Sequence, residues 1–217
     1  MTARDFKERL SRRARKLHVP LPQEVIEPFE TYFRLLTRWN AKINLTALPL
    51  EIPTDETFDR LFIEPLAAAT FIDDAPGVWF DLGSGGGSPA FPLKMIRPAL
   101  ALTLVESKSR KAAFLREVVR TLKLTTTQVA NVRVEDLEPA ADRTAILVTV
   151  RAVRPDAALL AVAARLLREG GQLLLFGKLG PGHLSHSAFV ERKSPSVSSR
   201  AAAGLVMSYT RVFHVEQ

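Results

Sequence analysis

The stretch Val78-Trp-Phe-Asp-Leu-Gly-Ser-Gly-Gly-Gly-Ser88 constrains the fold of this chain more than any other. A short apolar run ends at Asp81. Four glycines, Gly83, Gly85, Gly86 and Gly87, follow within five positions, and an apolar-patterned segment begins at Pro89. The pattern reads as strand, tight turn and helix. Glycine takes positive φ and lets a ligand approach the backbone, and a helix start offers unpaired N–H groups. A second apolar run over 100–105 ends at Glu106, 25 residues beyond Asp81. An acid at the second strand end can accept hydrogen bonds from a ribose. These features predict a nucleoside-cofactor site on a doubly wound α/β sheet.

The turn also narrows the cofactor. The dinucleotide fingerprint G-x-G-x-x-G needs a sixth-position glycine, and Ser88 stands there. No GK[ST] triplet follows to build a phosphate-binding loop. Asp81 next to the glycines disfavours a phosphate, because the two would repel. S-adenosylmethionine, with an amino group, a sulfonium and no phosphate, suits the turn better. A dinucleotide and a glycine turn without ligand are the alternatives.

The chain has 217 residues and is 47% apolar, enough to bury a substantial core. Its formal net charge of +7 is compatible with a polyanionic partner and with solubility alone. The absence of cysteine excludes a disulfide framework and a cysteine-ligated metal. His183 and His186 lack a carboxylate at motif spacing, so no metal is expected. The N-terminal residues are charged from Arg4 onward, so no secretory signal is expected, and no apolar run is long enough to span a bilayer. A cytoplasmic protein without membrane contact is the expectation, with a monomer as the default state.

Residues 4–16 hold seven basic side chains, with Phe6, Leu10 and Leu17 on one helical face. The basic face either touches nucleic-acid phosphates or is simply solvated. Val25, Phe29, Tyr32, Phe33, Leu36 and Trp39 recur at three- and four-residue spacing and predict an amphipathic helix. Pro28 inside that pattern implies a kink or a later start. In Asn40-Ala-Lys-Ile-Asn-Leu-Thr46, local backbone bonding is the favoured role of the polar side chains. Phe58, Leu61, Phe62 and Leu66 predict another helix within 54–72, which Pro65 breaks or restarts. The turn-rich residues before Gly77 suggest a boundary between a helical N-terminal extension, 1–75, and a main domain, 76–217.

In the main domain, helices are predicted over 108–123 and 157–168, and further strands over 127–132, 145–150, 172–176 and 205–215. Arg151 and Lys178 directly follow two of those strands, on the edge where open α/β sheets bind ligands. Both are expected to meet RNA, with Lys108 and Arg110 beside the second strand. The loop carrying Arg133, Glu135 and Asp136 is placed where an adenine would lie. Residues 194–200 read as a serine-rich loop.

Four stretches in order resemble the bacterial 16S rRNA guanine-N7 methyltransferases, the glucose-inhibited division protein B family. They are Trp39-Asn40-x-Lys42-x-Asn44-Leu45-Thr46, the glycine turn with Pro92-Leu93, Leu104-Val-Glu-Ser107 with Arg110-Lys111 and Phe114-Leu115, and Val148-Thr-Val-Arg-Ala-Val153 with Gly170-Gly171 and Lys178. The resemblance implies a class I, Rossmann-like methyltransferase fold with a mostly parallel seven-stranded sheet and a helical N-terminal extension. It implies S-adenosylmethionine as cofactor and N7 of guanine 527 in the 16S rRNA of the small ribosomal subunit as target. Carried over, Asp81, Gly83, Ser84, Gly85 and Gly87 make the cofactor loop, Glu106 and Ser107 lie by its ribose, and Arg133 and Glu135 by its adenine. Arg151, Lys178 and Asn44 stand at the reaction site, and Arg60, Lys108, Arg110, Arg151 and Lys178 face the RNA.

The chain departs from the family where a histidine usually follows the arginine and Asp-Ser comes later; it reads Arg60-Leu-Phe-Ile-Glu-Pro-Leu66. The family's Gly-Phe-Pro-Gly is Gly87-Ser-Pro-Ala90 here, and its Lys-Gly pair is Lys178-Leu179. The altered 61–65 stretch motivates a rival reading, an RNA-binding assembly protein without turnover. A dinucleotide-dependent oxidoreductase is the rival enzyme.

Overall fold

A computed structural model of the chain describes residues 1–72, 74–151 and 156–177, together with the backbone of 189–192 and 206–211. Helix α1, Ala3–Lys16, starts at Thr2, whose side chain and that of Asp5 exchange capping bonds. It buries Phe6, Leu10, Arg13 and Ala14. Helix α2, Ile26–Asn40, follows a 3-10 turn, Gln23–Val25. Pro28 thereby falls in the first turn of α2, where a missing N–H costs nothing, and no break results.

The helix expected within 54–72 is interrupted. Thr54 caps α3, Asp55–Phe58; a π-helical turn, Asp59–Ile63, leads into α4, Glu64–Ala68, and a 3-10 turn, Ala69–Phe71. Pro65 explains the interruption: it cannot donate to the Leu61 carbonyl four residues back. That carbonyl accepts the Ser88 hydroxyl at 3.1 Å instead. The altered helix is thus tied to the glycine turn.

The sheet contains β1 Gly77–Leu82, β2 Leu100–Val105, β3 Thr127–Ala130, β4 Ala145–Arg151, β5 Leu167–Phe176, β6 Phe189–Arg192 and β7 Val206–Arg211. Its order is β3-β2-β1-β4-β5-β7-β6, parallel from β3 to β5, with β7 antiparallel to both neighbours. Helices α5 Ala90–Ile96, α6 Ser109–Thr121 and α7 Ala157–Leu166 join the parallel strands. Strand β5 starts earlier than predicted, at Leu167, which pairs with Ala145 across a register shift. Gly170, at φ +72, accommodates that irregularity. Strand β6 carries too little pattern to be read from its residues alone.

Period-two alternation sorts the parallel strands onto two faces. Trp79, Leu102, Leu104, Leu147 and Leu174 share one core with Phe6, Phe29, Phe33, Phe58 and Phe62 of the helical segment. Phe80, Leu82, Val105, Val148 and Val150 pack against α7 on the other face. Stacked and edge-on rings tie α1, α2 and the π-helical turn together, with Phe29 and Phe62 at 5.1 Å and Phe6 and Phe62 at 5.4 Å. The helical segment therefore roofs one face of the sheet, and past the register shift at Ile146 the odd-numbered side chains of β1 and β4, from Trp79 and Leu147 onward, point up into it. No helix among the described residues is long and apolar enough to cross a membrane.

Candidate functional site

The glycine turn leaves β1 at Leu82 and folds over the end of β2, where Gly83 and Ser84 both donate to the Val105 carbonyl. Gly87 has φ +84, and a Cβ there would lie 2.3 Å from the Phe91 ring. Gly85, at φ +50, meets only the Gly83 carbonyl at 3.7 Å and leaves room for a ligand beside it. The roof clamps the turn from above. Buried Tyr32 donates to the Gly86 carbonyl at 2.6 Å, and burial pushes its phenol far above the ordinary tyrosine range.

Glu106 holds the turn from the β2 side. Its carboxylate accepts from the Gly85 N–H at 2.9 Å and the Lys108 N–H at 2.8 Å. Each oxygen keeps a lone pair for a further donor. Gly83, Ser84, Gly85, Glu106, Ser107 and Lys108 form one wall of a cleft of about 790 Å³. A neighbouring hollow of about 640 Å³ shares Gly83, Glu106, Ser107 and Lys108, and adds Arg133, Glu135 and Asp136. The two hollows together offer space for a nucleoside and its extension.

Asp81 departs from its expected place. It is absent from the residues lining the cleft, being only 2% exposed beneath the turn. Its register partner on β4 is Thr149, whose hydroxyl donates to Asp81 Oδ1. Burial raises the Asp81 carboxyl to about 6, against the lowering effect of the Thr149 bond. Gly87 is also behind the turn. Arg110 is exposed and does not line the cleft; Lys111 does, because the start of α6 turns that neighbour inward.

The opposite wall comes from the roof. Asn44, Leu45 and Thr46 line it, and Asn40 shapes their loop by accepting the Leu45 and Thr46 N–H groups at 2.9 and 3.0 Å. The capping role expected of Asn40 is what the structure holds; Asn44 is exposed in the cleft. Arg60 and Arg151 complete this wall. Arg151 is two residues past Thr149, so alternation sends its side chain up into the roof. There Arg151 Nη1 donates to Glu64 Oε2 at 2.8 Å, and Cζ stacks 4.8 Å from the Phe176 ring centre. The free strand-end cation read from the sequence is therefore a paired one. Burial raises the Glu64 carboxyl, while Arg151 and Arg60 pull it down; burial likewise lowers Arg151.

Glu64, Lys111 and Tyr32 were not among the expected site residues: Lys111 lines the cleft, while Glu64 and Tyr32 bond groups of its walls. An i,i+4 Arg60–Glu64 pair next to the Asn40–Thr46 stretch was the available signal for Glu64. Lys178, His183 and His186 lie outside the described residues. On α1, Arg13 turns inward, against the expected basic surface, and bonds Asp55 at 2.8 Å and Asp59 at 2.9 Å. This anchors the segment that carries Arg60 and Glu64.

A mostly parallel α/β sheet with a glycine turn over acid-tipped strands defines a Rossmann-like methyltransferase fold. A similar solved structure is the putative S-adenosyl-L-methionine-dependent methyltransferase of Methanococcus maripaludis, at TM-score 0.54 and 15% identity, covering 70% of this chain and 86% of that one. The chain belongs to the GidB family, rRNA small subunit methyltransferase G, whose family model matches residues 25–180. Ribosomal RNA small subunit methyltransferase G of Xanthomonas euvesicatoria is 44% identical over 151 residues, covering 68% of this chain and 66% of that relative. The protein of the same name from Xanthomonas campestris is 41% identical over 158 residues, covering 71% and 69%.

Proposed function

We propose that the protein transfers the methyl group of S-adenosylmethionine to N7 of guanine 527 in 16S rRNA. It would act as a cytoplasmic monomer on the small ribosomal subunit and need no metal. The observation that carries this reading is one cleft with two unlike walls. Gly85 and Glu106 offer a nucleoside-sized wall with spare acceptors, and Asn44, Arg60 and Arg151 face them across the same space. The donor fits the open side of Gly85 and the free lone pairs of Glu106, and the cleft wall offers no phosphate-binding loop.

In this reading Gly83, Ser84 and Gly85 shape the turn, Glu106 and Ser107 take the ribose hydroxyls, and Arg133 and Glu135 flank the adenine. Asp81 and Gly87 act from behind, by fixing the turn. The donor, when bound, supplies an electrophilic methyl group. Guanine N7 already carries a lone pair, so no residue needs to remove a proton. The protein's work is to align base and donor in line and to exclude water, which accounts for much of the barrier reduction. Asn44 offers its amide to the base edge. The product base becomes cationic, and Glu56 and Glu106 are the carboxylates of the cleft that offset that charge. Arg60, Lys108 and Arg151, with Lys178, meet RNA phosphates; Lys111 takes the place expected of Arg110.

The test incubates the protein and labelled S-adenosylmethionine with small subunits lacking the modification, then locates the label by nuclease digestion and mass spectrometry. One methyl group on N7 of a single guanine is expected, and free guanosine is expected to be a very poor substrate, since folded RNA presents the base. Label on a pyrimidine or on an exocyclic amine overturns the N7 assignment. Donor binding without any label favours an RNA-binding protein that has lost turnover.

A further inference from the structure

Three buried side-chain polar atoms among the described residues lack a hydrogen-bond partner, and all three belong to one pair: Glu64 Oε1, Arg151 Nε and Arg151 Nη2. Buried donors and acceptors are almost always bonded, so such a cluster calls for a cause. Arg151 spends only Nη1 on Glu64, and the Phe176 ring holds its plane. Nε and Nη2 share the guanidinium edge that matches two neighbouring oxygens of a phosphate. On the other side, Arg60 Nη1 stands 3.7 Å from Glu64 Oε1, an ion pair too long for a hydrogen bond. One carboxylate, 1% exposed, thus faces two guanidinium groups. The π-helical turn brings Arg60 and Glu64 together, and Arg13 anchors its first residue, Asp59.

We infer that Glu64 is the positioning residue for RNA binding: it holds the Arg60 and Arg151 guanidinium groups side by side and keeps the Nε–Nη2 edge of Arg151 for a phosphodiester of the RNA. The inference rests on the proposed function and adds the group that the RNA must present. Glu64 touches no substrate and acts through Arg151. Without its charge the two guanidinium groups repel, and Arg151 loses the contact that sets its rotamer. The edge is screened from water before RNA arrives, so a small turn of the side chain into the cleft that Arg151 already lines delivers a desolvated donor pair.

A double-mutant cycle tests this, using Glu64→Gln, Arg151→Met, the pair of changes together, and Glu64→Asp. RNA affinity is read by filter binding to small subunits lacking the modification, and S-adenosylhomocysteine affinity by calorimetry. Glu64→Gln and Arg151→Met should each weaken RNA binding about tenfold or more and leave S-adenosylhomocysteine within about twofold, a loss of the size one or two phosphate contacts carry. The double variant should bind RNA no worse than the weaker single, and Glu64→Asp should recover part of the loss. The slope of log affinity against log salt should fall by about one in Arg151→Met. If a single variant fails to fold, the double variant, which buries no lone charge, must still show the RNA loss. Additive effects, normal RNA affinity in Glu64→Gln, or equal loss of both ligands would overturn the inference. A wild-type protein that binds RNA without transferring methyl defeats the functional reading alone, because the cycle is read in affinity.

Discussion

Two cations with little exposed surface stand at opposite edges of the parallel sheet and are treated differently. At the edge where the strands begin, Lys94 is 2% exposed and donates to the Pro98 and Leu100 carbonyls and the Thr126 hydroxyl. Burial lowers its pKa, but all three of its donor directions are used. It stitches α5 to the starts of β2 and β3. At the edge where the strands end, Arg151 makes one bond to a carboxylate and leaves two nitrogens unused. The fold closes its hydrogen bonds where only structure is needed. It leaves them open on the edge where ligands enter.

Breaking the open pair should give the largest effect on stability. Glu64→Ala alone leaves a buried guanidinium uncompensated and should cost about 3–5 kcal/mol in denaturant unfolding. Glu64→Met combined with Arg151→Met should return to within about 1 kcal/mol of wild type, because both charges are gone and no buried polar group is stranded. A double variant as unstable as the single would erase the contrast. Lys94→Met comes next: it strands the buried Leu100 carbonyl and should cost about 1–3 kcal/mol. Methyl transfer per folded molecule should stay unchanged, and a fall in that rate would mean that the lower edge also serves the site.

A third expectation concerns Asp81, buried behind the turn with its carboxyl raised to about 6. A folded-state value above the unfolded one means that the native protein holds this proton more tightly between about pH 4 and 6. The Asp81 contribution to stability is therefore greatest below pH 4 and is lost as pH rises through 6. Asp81→Asn should stabilise the ligand-free protein by about 1–2 kcal/mol at pH 7 and by nearly nothing at pH 4. Thermal unfolding across that range checks both size and sign. The smallest effect belongs to Arg12→Ala. Arg12 is 59% exposed in its pair with Asp55, so its loss should cost about 0–0.5 kcal/mol. A larger cost would show that exposure does not separate Arg12 from its buried neighbour Arg13.

The turn, the acid at the end of β2 and the amphipathic α2 were legible because each rests on local rules. Glycine clusters permit positive φ, and alternation or a 3.6-residue period marks which face is buried. Element ends were less legible. Helix α7 stops at Leu166 because Leu167 pairs with Ala145, a partner 22 positions away that no local pattern announces. The break at Pro65 was visible, but the π-helical turn before it depends on Ser88 reaching the Leu61 carbonyl. Among the expected site residues, Glu106 lines both hollows and Arg133 one of them, whereas Asp81 and Arg110 are not in the cleft wall.

Four short stretches carried the family resemblance, and residue types at short spacing were enough to read the glycine turn and the apolar faces of the helices. These follow from backbone permission and from periodicity, which need no knowledge of distant contacts. Only the tertiary structure decided what the charged residues do. Arg151 reads as a free cation at a strand end until the roof is in place. Then alternation along β4 sends it toward Glu64, 87 positions earlier in the chain. The physical reason is that a charge is defined by its partners and its distance from water, and both are set by chain segments that meet only on folding.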